Sequence, residues 1–372
     1  MRGDKTSQMD FLYNFSAEAQ IPQSHPLRKI KTMADEALKR LDKVFDQMYA
    51  DKGRASIPPE RLLKASLLIA FYSIRSERQL CEQLEYNFLF RWFLDMTPND
   101  RVPDHSTFAK NRQRLLEQNI AARFLHETIR FAQTKELVSD EHFTVDGTLI
   151  EAWASLKSFK AKSDVKKEDD TKEDSTQPEN QSTDTSRNPS VNFHGEKRSN
   201  ATHASTTDSD ARLMRKGAGK EAKLSYTGNI IMENRSGLCV AANVEIADGT
   251  AERRGALTLL KELARKKIKP KSLGADKGYH TKDFVKALRD KSISPHIAMI
   301  DNRRTPGLDG RTRRSIGYQI SQRLRKRVEE LFGWGKTIGG IRKTRFKGRP
   351  RVGFHFVFTM AAANLVILAG LT

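Results

Sequence analysis

Three acidic residues stand where a carboxylate is costly. Asp146 lies in an otherwise apolar, strand-like run, EHFTVDGTLIEAW; Asp276 closes the short run KSLGA ahead of a Gly-Tyr turn; Glu329 lies in an arginine-rich helical stretch, ISQRLRKRVEELFGWGKT. A carboxylate in a core needs a partner or a metal. Taken singly, each reads as a solvated or salt-bridged acid, and Glu329 has Arg325 four residues before it, an ordinary helical pair. Taken together, in a 372-residue chain of formal net charge +20, they suggest carboxylates converging on Mg²⁺ or Mn²⁺, hard cations that prefer oxygen ligands. Two such ions, about 3.5–4 Å apart, clamp the attacking and leaving oxygens of an in-line phosphoryl displacement. One would activate water or a DNA 3′-hydroxyl, and the other would neutralise the leaving oxygen.

The elements that must position these acids follow from periodicity. The chain starts helical: DEALKRLDKVFDQMYA carries Leu38, Leu41, Val44, Phe45 and Met48 at helical spacing, and a second helix after Pro58 and Pro59 has a face of Leu62, Leu63, Leu67, Leu68, Phe71 and Tyr72. Ser76 with Gln79 forms a capping box for a third. Asp104 or Ser106 caps a basic helix carrying Lys110, Arg112 and Arg114, the kind of member a helix-turn-helix presents to a DNA groove, although helical domains without DNA contacts look the same.

From His142 the period changes to alternation, with a turn-like Asp-Gly step in the strand. KLSYTGNIIMEN and GLCVAANVEIA then read as a hairpin, AERRGALTLLKELARKK as a helix, KSLGA as a strand, TKDFVKALRDK as a helix, SPHIAMI as a strand, residues 303–315 as a basic loop and ISQRLRKRVEELFGWGKT as one long amphipathic helix. This order is α/β, a mixed sheet with helices, preceded by an all-α domain. The expected division is a helical domain at 1–135 and an α/β domain at 140–372. The second carries a charged, disordered insert at about 161–210, with seven basic against eleven acidic residues.

Composition narrows the partners. A pI near 9.9 on a globular chain points to a polyanion, nucleic acid before ribosome or membrane surface. The tract from Asp301 to Arg351 holds sixteen Lys or Arg against four Asp or Glu, and Arg212, Arg215, Lys216, Lys220 and Lys223 extend it. Such a cluster gives strong, salt-sensitive, sequence-tolerant phosphate binding. Only Cys81 and Cys239 occur, without metal-ligand spacing, so neither disulfides nor zinc are expected. GAGK at 217–220 lacks the P-loop spacing, so no nucleotide cofactor is expected. The N-terminus has no apolar signal region, and a cytoplasmic address follows. Val352 to Leu371 is long enough to span a bilayer, but His355 and Asn364 within it favour a buried core element and no membrane.

TVDGTLIEAW, THASTTDSDARLMRKGAGKEAKLSY, GADKGYHTKDF and RLRKRVEELFGWGKT resemble the DDE transposases of bacterial insertion sequences, of the branch numbered family five and its relatives in family four. PDHSTF at 103–108 resembles their N-terminal domain, so the likeness covers nearly the whole chain. That family carries a Tyr-x2-Arg-x3-Glu-x6-Lys signature, met here by Arg325, Glu329 and Lys336, with Gln322 in the tyrosine position. A helical argument agrees with Glu329 over Glu330: residues 325 and 329 share a face, and Glu330 turns about 100° away from Glu329.

The resemblance implies an RNase H-like fold, a catalytic and metal-binding triad of Asp146, Asp276 and Glu329 with two Mg²⁺ or Mn²⁺ ions, and DNA contacts by Arg325, Lys336 and Gln322. It further implies binding of terminal inverted repeats and target DNA, cleavage, transfer of 3′ ends, and a homodimer on paired ends. The tryptophan that family-four relatives use to stack a flipped base has no counterpart between Asp276 and Glu329, and Trp334 reads as core. The competing readings are a catalytically silent DNA-binding protein and a general RNase H-like nuclease.

Overall fold

The computed structural model describes residues 16–49, 56–162, 198–217, 219–300, 305–308 and 310–372. The N-terminal region is helical: α1 (Ala17–Gln20), α2 (Pro26–Lys39), α3 (Asp42–Asp46), α4 (Pro59–Phe71), α5 (Glu77–Tyr86), α6 (Phe88–Phe93), α7 (His105–Glu117) and α8 (Ile120–Thr134). The capping signals act as their chemistry requires. The Ser76 hydroxyl accepts from the Gln79 amide at 3.1 Å, the Gln79 side chain accepts from the Arg75 amide at 2.9 Å, and Asp104 rather than Ser106 caps α7. Of the three basic residues on α7, Lys110 and Arg114 are exposed. Arg112 turns inward, pairing with Glu77 at 2.5 Å and lying over the Phe346 ring, so it joins helices and is not offered to a groove.

A six-stranded mixed sheet forms the second layer, from β1 (His142–Glu151), β4 (Arg212–Arg215), β5 (Ala222–Glu233), β6 (Cys239–Ile246), β7 (Ser272–Ala275) and β8 (Ser294–Ile297). β2 (Phe159–Ala161) and β3 (His203–Ser205) form a separate antiparallel pair. In the main sheet β5 lies between β1 and the β4 and β6 edge, all antiparallel; β7 and β8 then add parallel to β1. The order β6-β5-β1-β7-β8, with helices between the parallel strands, is the expected RNase H-like mixed sheet. β7 is buried along its whole length, as a parallel strand covered on both faces must be.

The remaining helices are α9 (Ala251–Arg265), α10 (Lys282–Arg289), α11 (Gly310–Arg314), α12 (Ile316–Leu324), α13 (Val328–Thr337) and α14 (Arg349–Leu371). α9 lies closely on β5 and β6 because Gly255 has no side chain; a Cβ there would stand 2.2 Å from Asn229 Nδ2. α14 is apolar all round and long enough to cross a membrane, and it packs against α2, α8, α13 and β6. Asn364 within it accepts from the Cys239 amide and donates to the Cys239 carbonyl, both at 2.8 Å, so the polar residue of this helix closes the start of β6.

Three expectations need correction. The long helix at 320–337 is broken: Arg325–Arg327 tightens to a 3-10 turn, where Arg327 donates to the carbonyls of Asn234 at 2.8 Å and Arg235 at 3.2 Å. Tertiary anchoring on the β5–β6 turn overrides a sequence that is helical throughout. The charged segment does not run disordered to 210, because Tyr226 donates to Asp208 at 2.6 Å, and Asp208 and Asp210 accept from the Gly348 and Arg349 amides that open α14. Acids at a helix N-terminus are stabilising there; residues 163–197 of that segment lie outside the described residues. Finally, β1 runs unbroken through Asp146–Gly147, with no turn at the Asp-Gly step.

Candidate active site

β1 outruns β7. Their parallel pairing couples His142 with Ser272, Phe143 with Leu273 and Thr144 with Gly274; further along, the next backbone contact on that edge of β1 is at Glu151, which meets Arg342 and Thr344. Between these lies a gap in the sheet, and Asp146 sits in it. Alternation along the strand puts Asp146 on one face with Thr144 and Thr148, and Gly147 on the other with Phe143 and Val145. Burial pushes the Asp146 carboxyl up to about 7, reinforced by the charges of Asp276 and Glu252 and opposed by the Gly147 amide and Arg325. The Gly147 amide donates to Asp146 Oδ1 at 2.8 Å.

Asp276 follows β7 directly and caps the 3-10 turn Lys277–Tyr279, its Oδ1 accepting from the Gly278 amide at 2.8 Å. Glu252, in the first turn of α9, is the third acid in this neighbourhood. Sequence reasoning missed it, since an acid in a first helical turn is what helix electrostatics favours anywhere. Burial and Asp276 raise its carboxyl.

The cationic side comes from the 3-10 turn after α12 and from α13. Arg325 and Lys336 both lie within the electrostatic reach of Asp146. Lys336 is half-buried, with its ammonium lowered by burial and by Lys216 and Arg342. Gln322 has both ends of its amide engaged, donating to the His296 carbonyl at 2.5 Å and accepting from Arg325 Nε at 3.0 Å, so it aims Arg325 from within the fold. The expected Arg325–Glu329 pair is absent among the described residues, because Arg325 is turned to Gln322. Glu329 and Glu330 are both exposed in the first turn of α13; Glu329 shares a face with Lys336 seven residues on, and Glu330 lines a cavity with Arg327, Trp334 and Ile367. Trp334 packs against the core, as expected.

The basic tract divides by partner. Lys343 pairs with Glu151 at 3.1 Å, Arg349 lies 3.7 Å from Glu245, and Arg345 donates to the Arg75 carbonyl at 2.9 Å. Arg323, Lys326, Arg342, Lys347 and Arg351 remain exposed. Lys216, after β4, reaches the same field as Lys336, while Lys223 is paired with Glu151.

A strand-borne aspartate, a second one beyond the neighbouring parallel strand, and an acid-bearing helix rich in arginine thus stand on an RNase H-like sheet. A family model described as "Transposase DDE domain" matches residues 139–365, and one described as "Transposase domain" matches residues 15–114. The chain belongs to the DDE transposases. Such an enzyme is a metal-dependent DNA transposase. No curated protein matches it. Among solved structures, this transposase is similar to a piggyBac transposase synaptic complex with hairpin DNA, at 11% identity over 92% of this chain and 75% of that one, with a TM-score of 0.37. It is also similar to a Mos1 transposase paired-end complex, at 11% identity over 88% and 87%, with a TM-score of 0.20. Overlap this loose says nothing about residue roles.

The residues of this transposase suit the divalent ion that its family requires. The donors are all carboxylate oxygens, the ligand type hard cations select. Asp146, Asp276 and Glu252 repel one another, opposed by Arg325 at Asp146 and by Arg253 at Glu252, and the fully buried Tyr279 hydroxyl beside them has no hydrogen-bond partner. Among the described residues no three His, Cys, Asp or Glu side chains are gathered closely enough to hold an ion already.

Proposed function

We propose that this transposase binds the terminal inverted repeats of an insertion sequence, cleaves the DNA there and joins the 3′ ends to target DNA by two-metal phosphoryl transfer. The observation that carries this is the meeting of Asp146 and Asp276 at the end of β7, with Arg325 and Lys336 brought to the same gap from the 3-10 turn after α12 and from α13. Asp146, Asp276 and Glu329 hold two Mg²⁺ or Mn²⁺ ions. When bound, these supply the polarisation of attacking and leaving oxygens that phosphoryl transfer needs.

Lys336 and Arg325 receive phosphates of the transposon end beside the acids, Arg325 held in aim by Gln322. The exposed Arg323, Lys326, Arg342, Lys347 and Arg351 continue that track. Residues 1–135 form the unit that reads the repeat, and 140–372 the catalytic unit, with two copies acting on paired ends in the cytoplasm, at the nucleoid. Glu329 is favoured over Glu330 because it stands at the signature spacing from Arg325 and Lys336.

The test is cleavage of a labelled duplex bearing the element's own terminal repeat, with Mg²⁺ or Mn²⁺, by wild type, Glu329→Ala and Glu330→Ala. Nicking at the repeat boundary by wild type and Glu330→Ala alone is expected. Equal, tight binding without cutting in all three would leave a silent DNA-binding protein, and cutting without regard to the repeat a general nuclease.

A further inference from the structure

We propose that Glu252 is a fourth carboxylate of the metal site, brought to Asp146 and Asp276 across the bare Cα of Gly147. The inference rests on the reading of Asp146 and Asp276 as metal ligands. Its first support is steric. A Cβ on Gly147 would lie 2.6 Å from Glu252 Cγ and 2.9 Å from its Oε1, so a side chain there would push Glu252 away from the strand at the step after Asp146, on the face opposite the Asp146 side chain. The first turn of α9 is pinned in that place by Arg253, which donates to the carbonyls of Gly278 at 3.0 Å and Gly249 at 3.1 Å, tying α9 to the Asp276 turn.

An acid in a first turn ordinarily faces water and the free helix amides. Glu252 does otherwise: it is half-buried and has no hydrogen bond or ion pair among the described residues. A carboxylate so placed is costly unless a cation takes it. The second support is Tyr279. Its side chain is wholly buried, its hydroxyl has no acceptor, and the charges it feels are those of Glu252, Asp146 and Asp276, in that order, opposed by Arg253. Buried hydroxyls rarely go without a partner. Carboxylates drawn in around an ion would give this one an acceptor.

Mn²⁺ titration of the full-length protein without DNA, by calorimetry and by the loss of free-ion EPR signal, tests this with no reference to activity. Glu252→Gln keeps shape and removes charge; it is expected to weaken Mn²⁺ binding by about tenfold or more, on the scale of changes around metal ligands. Its metal-free Tm should equal or exceed that of wild type. Gly147→Ala, which displaces Glu252 without removing it, should also weaken binding and add little in the Glu252→Gln background. Asp276→Asn reports on the underlying reading. Wild-type affinity in Glu252→Gln beside a large loss in Asp276→Asn would exclude Glu252 and leave the site standing. Wild-type affinity in Asp276→Asn would instead overturn the metal reading itself, and this inference with it.

Discussion

Asp146 and Asp276 stand level with each other: the parallel register that pairs Thr144 with Gly274, continued for two residues, sets one aspartate against the other just where β7 ends. The two are 130 positions apart in the chain and adjacent through one strand pairing. Because β7 stops, neither carboxylate is covered by a further rung of the ladder.

Asp276→Asn keeps the cap on its 3-10 turn through the amide oxygen but removes the charge. Single-turnover cleavage should fall by at least about 10³-fold, roughly 4 kcal/mol of transition-state stabilisation. Gel-shift affinity for the repeat should change by less than about threefold. Loss of both together would show that Asp276 serves the fold and not the chemistry.

Metal binding should depend on pH through Asp146. Its carboxyl titrates near 7, above the ordinary carboxylate range, so below that pH an incoming ion must displace a proton. The Mn²⁺ Kd should therefore tighten by about tenfold per unit up to roughly pH 6, by about fivefold from 6 to 7, then level off. Calorimetry in buffers of different ionisation enthalpy would also count the released proton. A flat profile from pH 5.5 to 8 contradicts the assignment.

Salt dependence separates the exposed cations from the committed ones. Replacing Arg323, Lys326 or Arg342 by Ala should reduce the slope of log K against log salt by about one each. Lys343→Ala should leave the slope nearly unchanged, since Lys343 is already paired with Glu151. Fluorescence anisotropy across a salt series measures both.

Asn364→Leu raises the hydropathy of α14 while leaving the Cys239 amide and carbonyl unpaired in the core. The cost should be about 2–6 kcal/mol, one to three for each stranded group. Urea denaturation reads it directly. A more stable variant would mean that α14 does not belong in this core.

The candidate site was legible in pieces. Asp146 and Asp276 betray themselves by charge in apolar, strand-like runs, and Glu329 by its spacing from Arg325 and Lys336. Gln322 did not, since a polar residue on a basic helix looks like a nucleic-acid contact until its amide is found between His296 and Arg325. Arg112 was misleading for the same reason, its pairing with Glu77 crossing between two helices.

What the chain determines by itself is what depends on near neighbours: caps such as Ser76 and Asp104, the alternation of β1, the β5–β6 hairpin and the excess of positive charge. Those follow from dihedral preferences and from hydrophobic period, which act over a turn or a strand. Tertiary structure alone decided that the helix after Ile316 breaks where Arg327 reaches the β5–β6 turn, that Asp208 and Asp210 cap α14, and that Gly147 makes room for Glu252. In each case the deciding partner lies far along the chain. No local pattern records it, because a hydrogen bond or a close approach between distant segments exists only once the sheet has set their distance.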